Sequence, residues 1–176
     1  AAYEFNVPGP QFNYIAMSNP SPSQPWPDSV LNLQVNPGYV VSLWVAKPSN
    51  NADLSGTLLS KGGKGSDLGW ALDIPSAGRL RFRTHNGTDW DNLTTPDTVL
   101  PLAVEDWTHV VLEVTGGEKR IYINGDLNHS ASYTDSVNPT ATAFALGADH
   151  TSSPTPSSYF KGRLDQVSFY GAPLNP

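Results

Sequence analysis

Residues 86–92 hold the densest set of groups in this chain able to grip a polar ligand: Asn86, Asp89, Asp91 and Asn92 surround Trp90 within seven positions. A pyranose ring presents an apolar C–H face rimmed by hydroxyls. An exposed aromatic ring can stack on that face, while Asp, Asn and Arg side chains bond adjacent hydroxyls. Asn86, Trp90, Asp91 and Asn92 are therefore candidate carbohydrate-binding residues. Trp26, set between Pro25 and Pro27, Tyr133 and Tyr159 are further aromatics in turn-rich surroundings. Each of them could instead fold back to cap a core.

A second feature is a run of positive charge. Five of the 10 Lys and Arg fall between positions 61 and 83. Within residues 79–85, Leu80, Phe82 and Thr84 alternate with Arg79, Arg81, Arg83 and His85, so a strand here buries one face and displays cations on the other. Arg83 joins the candidate binding residues, because guanidinium groups make paired, charge-assisted bonds to carboxylate or sulfate. The competing reading is a solvated strand face balanced by Asp73 and Glu113.

Catalytic patterns are missing from the sequence. Glycoside cleavage needs two carboxyls about 5 to 9.5 Å apart, and the nearest acidic clusters, Asp89/Asp91 and Glu105/Asp106, lie in turn-like stretches or at strand starts. There is no Gly-x-Ser-x-Gly elbow, and the four His show neither His-x-His nor His-Glu-x-x-His spacing. No catalytic residue is assigned. Asn86, Asn92 and Asn128 head glycosylation sequons, which a chain so rich in Asn, Ser and Thr forms by chance.

The elements that must position these groups are strands. Gly, Pro, Asn and Asp recur every 8 to 12 residues, and short runs rich in Val, Ile, Leu, Phe and Tyr lie between them. The pattern predicts about ten strands, at 3–7, 31–35, 39–46, 56–61, 69–74, 79–85, 107–115, 119–123, 142–147 and 159–170. Val110, Leu112, Val114, Ile121 and Ile123 should share one core, with Glu113 and Tyr122 on the opposite face. Trp44 and Trp107 are expected in that core. Residues 8–29, 86–101 and 150–158 are long, polar and Pro- or Ser-rich, and read as functional loops.

Length and composition set the frame. At 176 residues, with 38% hydrophobic residues, 15 Gly, 16 Pro and no Cys, the chain (1–176) suits one all-β domain without a disulfide scaffold. Charged residues are only 15% and the net charge is −6, which disfavours a non-specific grip on nucleic acid. No apolar run approaches the ~20 residues of a membrane span. The first residues show no positive charge followed by an apolar stretch, so any leader is expected to have been removed.

Six segments in order carry a family resemblance: Val41-Ser42-Leu43-Trp44-Val45, Ser60-Lys61-Gly62-Gly63, Trp107-Thr108-His109-Val110, Ile121-Tyr122-Ile123-Asn124-Gly125, Leu146-Gly147-Ala148, and the stretch from Phe160 through Gly162-Arg163-Leu164-Asp165 to Tyr170. Together they resemble the laminin-G-like jelly-roll modules of the concanavalin A-like lectin and glucanase superfamily. The match runs over roughly residues 39–174, with residues 2–6 as a first strand.

That resemblance implies a two-sheet antiparallel jelly-roll β-sandwich and a module of a larger secreted or cell-surface protein, monomeric in action, with a glycan or polysaccharide as partner. A protein-binding adhesion module is the alternative, and a diverged polysaccharide-cleaving enzyme a third. The resemblance also implies one structural Ca²⁺, held by Asp165 with backbone carbonyls near Glu4 and Gly38. Asp165 interrupts an apolar strand, where a carboxylate needs a cation or several donors; backbone amides would satisfy it equally. The paired-carboxylate run of the family's glucanases and the Gln-x-His of its lyases are absent.

Overall fold

In a computed structural model, which describes residues 2–5, 14–17, 33, 38–48, 54–62, 69–76, 78–100, 103–104, 106–138, 140, 142–149 and 157–174, the chain runs through twelve strands. They are β1 (Tyr3–Phe5), β2 (Ile15–Met17), β3 (Tyr39–Ala46), β4 (Gly56–Lys61), β5 (Trp70–Ile74), β6 (Arg81–His85), β7 (Trp90–Thr94), β8 (Trp107–Val114), β9 (Glu118–Ile123), β10 (Asp126–Ser132), β11 (Phe144–Leu146) and β12 (Gly162–Tyr170). Two six-stranded sheets result, in the orders β1-β12-β3-β8-β9-β10 and β2-β11-β4-β5-β6-β7. Every ladder is antiparallel, and no helix occurs among the described residues. The fold is the expected jelly-roll sandwich.

Period-two alternation decides which side chains close the sandwich. On β3, Tyr39, Val41, Leu43 and Val45 are buried while Ser42 and Trp44 face outward. Across the β8–β9 ladder Val110, Leu112, Val114 and Ile121 join the same core, and Glu113 and Tyr122 bond each other on the outer face at 2.9 Å. The second sheet contributes Leu59, Trp70, Leu72, Phe82 and Leu93. Trp70 packs on Phe144 and meets Phe169 edge-on, and Tyr39 meets Phe82 edge-on at 6.4 Å between ring centroids.

Several sequence expectations change here. Trp44 and Trp107 are not core residues: both are half-buried on the outer face of the first sheet, Trp44 stacked on His109 and Trp107 under the Arg163 guanidinium. Among the described residues the tryptophan of the core is Trp70. Residues 90–94, read as loop, form an edge strand. Only Leu93 is fully buried there, so turn-forming Asp and Asn mask a ladder that β6 supplies through the backbone.

β10 and β2 were likewise not foreseen. β10 follows a turn at Asn124-Gly125 with both φ values positive, a two-residue hairpin signal. Its side chains are half-exposed or exposed, and no burial pattern marks them. Of the strand expected at 31–35, only Leu33 is described, and it is fully buried.

Candidate functional site

The outer face of the second sheet carries the chemistry. Thr57 pairs with Asp73, Asp73 with Arg81, and Arg83 with Asn92, so alternation brings these side chains out on the face opposite Phe82 and Leu72. The chain returns from β11 across this face and passes beside β4, where Thr57 bridges Tyr159 and Ser55 bridges Lys161. Gly56 makes that approach possible: its φ is +95°, and a Cβ there would fall 2.1 Å from the Tyr159 carbonyl oxygen.

Between the sheet and this returning segment lies a cavity of about 420 Å³. Its walls carry Thr57, Asp73, Arg81, Arg83, Ser158 and Tyr159. Asp73 takes the Arg81 guanidinium in a two-point contact, from Nε to Oδ1 at 2.9 Å and from Nη2 to Oδ2 at 2.6 Å. That bond raises the Arg81 pKa further above its ordinary value. Arg83 donates from Nη2 to Asp149 Oδ2 at 3.1 Å, and the Asp149 side chain is completely buried. The Arg83 Nε is buried too, 3.4 Å from Asp73 Oδ2, and has no hydrogen-bond partner among the described residues. An orphaned buried donor costs about 1–3 kcal/mol unless something supplies an acceptor.

Of the residues named from the sequence, Tyr159 and Arg83 line this cavity, and Trp90 flanks Arg83. The Arg83 guanidinium lies 5.0 Å from the Trp90 ring centroid, and His85 meets that ring edge-on, also at 5.0 Å. Asn92 is exposed beside Arg83 across the ladder.

Other candidates are employed elsewhere. Asp91 alternates to the inner side and holds the Nζ of Lys119. Asn86 closes a turn, its Oδ1 accepting from the backbone N–H of Thr88 and Asp89 at 2.9 and 2.8 Å, and its Nδ2 donating to Asp135. Tyr133 is buried under the Lys119 ammonium, not exposed. Trp26 lies outside the described residues.

The charge balance differs from expectation. Asp73 does offset the stripe, but its second partner is Asp149, while Glu113 lies on the other sheet and takes Arg120 at 3.2 Å. Asp149 was noted in the sequence only as lying just after a strand, and Thr57 and Ser158 were not singled out. The pairing of Asp73 with Arg81 could have been counted across the hairpin turn of residues 75–78; the segment carrying Asp149 and Ser158 has no such local register.

Of the residues named for calcium, Gly38 does not reach Asp165. Asp165 pairs with Trp44, whereas Gly38 precedes β3 six positions away, roughly 20 Å along a strand, against Ca–O distances near 2.3–2.6 Å. Glu4 pairs with Arg163 on the neighbouring strand, and Asp165 Oδ1 accepts the N–H of Gln166 at 2.8 Å. Among the described residues no cluster of three or more His, Asp or Glu could hold a metal ion.

The family model Laminin_G_3, described as concanavalin A-like lectin/glucanases superfamily, matches residues 19–176. The chain belongs to this superfamily. No protein of curated function matches it in sequence. Solved structures with the same fold include a putative carbohydrate binding protein from Bacteroides ovatus, 15% identical with TM-score 0.64, where the match covers 99% of this chain and 44% of that one. The native heptameric SAP-like pentraxin from Limulus polyphemus is 13% identical with TM-score 0.61, covering 99% and 76%. The CBM40 of the Ruminococcus gnavus IT-sialidase, bound to α2,3 sialyllactose, is 19% identical with TM-score 0.58, covering 78% of each chain. This laminin-G-like chain thus spans less than half of the Bacteroides protein and most of the other two. At these identities the likeness establishes the fold; the site rests on the residues described above.

Proposed function

We propose that this chain is a non-catalytic carbohydrate-binding module of a secreted or cell-surface protein, with its ligand entering the cavity between β4, β5, β6 and Tyr159. The observation that carries this is a polar cavity walled by two guanidiniums, of which Arg81 is about a third exposed, together with Asp73 and the hydroxyls of Thr57 and Ser158. A sugar hydroxyl would accept from an exposed guanidinium N–H and donate in turn to Asp73 or to the Ser and Thr oxygens nearby. Solved carbohydrate-binding modules with this fold lend support.

Cleavage is disfavoured by the carboxylates themselves. Asp73 and Asp149 both reach Arg83, which gives the enzyme reading its best pair. Both, however, are committed to guanidiniums, and Asp149 is sealed from solvent, out of reach of a glycosidic oxygen.

The test is a glycan and polysaccharide screen by calorimetry on wild type, Arg81→Ala and Trp90→Ala, with and without chelator. Arg81 is about a third exposed, so its loss should leave folding intact. Both variants should bind at least about 10-fold more weakly, a loss of about 1.4 kcal/mol, with melting temperatures near wild type. Absence of binding to every glycan would remove the reading and favour a protein ligand for the module. A structural Ca²⁺ at Asp165 would need ligands other than Gly38; a melting temperature that chelator leaves unchanged would dismiss it.

A further inference from the structure

Resting on that reading, we infer that the cavity selects neutral sugars and rejects acidic ones, in spite of its two arginines. Among the described residues the charged groups of the site are Arg81 and Arg83 against Asp73 and Asp149. Two cations meet two anions, and the formal charge of the cluster is zero. Arg81 has already spent Nε and Nη2 on both oxygens of Asp73. Arg83 has spent Nη2 on Asp149 and rests against Trp90.

A ligand carboxylate that took the remaining N–H groups of Arg81 or Arg83 would lie beside Asp73 and Asp149 and meet them as like charges. Neither carboxylate can withdraw: Asp149 is fully buried, and Asp73, 10% exposed, is held at two points. With no net positive field to offset it, the cost of stripping water from the ligand's charge stands uncompensated. A hydroxyl meets no such obstacle, because it accepts from a guanidinium N–H and donates to Asp73 at once. The hydroxyls of Ser55, Thr57 and Ser158 around the opening suit the same kind of partner.

The experiment measures affinity for matched pairs of glycans, lactose against α2,3-sialyllactose and xylan against glucuronoxylan, at low and high salt. Wild type should favour the neutral member of a bound pair at least 10-fold, and that preference should change less than about twofold with salt, since a neutral ligand is not screened. Asp73→Asn and Asp149→Asn each leave one guanidinium charge unopposed while keeping side-chain shape. In whichever variant folds, the neutral-to-acidic ratio should fall at least 10-fold, with the acidic affinity now weakening in salt. Tighter wild-type binding of the acidic member, or an unchanged ratio in a folded variant, overturns the inference but leaves the sugar site standing. Failure of wild type to bind any glycan in the wider screen overturns both.

Discussion

Arg83 and Thr84 are consecutive residues of β6, yet they belong to ionic clusters of opposite character. Arg83 faces outward into a group of two arginines and two aspartates that lines an open cavity and leaves one buried donor unmatched. Thr84 faces inward, where its hydroxyl receives the ammonium of Lys119 at 2.6 Å. That ammonium also reaches Asp91, through both the carboxylate and the backbone oxygen, and lies 4.1 Å from the Tyr133 ring centroid. Three N–H donors thus find three acceptors, and Lys119 is wholly buried. Buried charge is common to both clusters; what separates them is completion. The closed cluster ties one sheet to the other, and the open one walls a cavity.

The largest expected effect is on the closed cluster. Lys119→Ala removes a long side chain from between the sheets and leaves Thr84 and Tyr133 facing a void. The loss should be about 3–5 kcal/mol, a melting-temperature drop on the order of 10 °C. Lys119→Met fills the same space without a charge to bury, and Asp91, 43% exposed, can turn to water; its cost should stay under about 1.5 kcal/mol. Glycan affinity of the folded fraction should be unchanged in both. A loss of affinity in Lys119→Met at normal stability would mean that the two clusters are one functional unit.

How much of this was readable beforehand follows the same division. The core alternation of β3, β6 and β8 was legible because every second residue is apolar, and the outward stripe of Arg81 and Arg83 came with it. Lys119 was not: a lysine on the inward side of β9 breaks the hydrophobic pattern, and its acceptors come from β6 and β7, which only tertiary pairing brings near. The cavity was half legible. Arg83 and Tyr159 could be named by type, whereas Asp149 depends on a segment that folds back across the sheet from β11. Trp90 was named for its neighbours in the sequence, and its contact with the Arg83 guanidinium is visible only in the fold.

The second prediction separates the clusters by pH. Burial pushes the Tyr133 phenol up to about 12 from its ordinary 10, so in the folded protein it keeps its proton after the unfolded chain has released it. Folding then gains from that proton below pH 10, and the gain is lost as pH rises from 10 to about 12. Thermal melts should show wild type losing stability over that window more steeply than Tyr133→Phe, which has no proton there to lose. Burial shifts Lys119 the other way, below its usual range. Its cost to stability is therefore relieved as pH approaches 10.5 from below, and that rise should vanish in Lys119→Met.

The smallest effect is expected at an aromatic platform on the opposite sheet. Trp44 and His109 stack at 4.9 Å on the outer face of the opposite sheet, with Ser42 Oγ 2.8 Å from His109 Nε2. Half-exposed rings of this kind could be mistaken for a sugar platform. Yet this face has no unmatched buried donor at Trp44, and the neighbouring His109 N–H is already taken by Asn124 at 2.9 Å. Trp44→Ala should therefore cost about 1 kcal/mol of packing, a melting shift of roughly 2–4 °C, and leave glycan affinity within twofold of wild type. If Trp44→Ala abolished binding while Trp90→Ala and Arg81→Ala did not, the ligand would sit on the opposite sheet, and the cavity walled by Arg81 and Arg83 would have lost its claim to be the site.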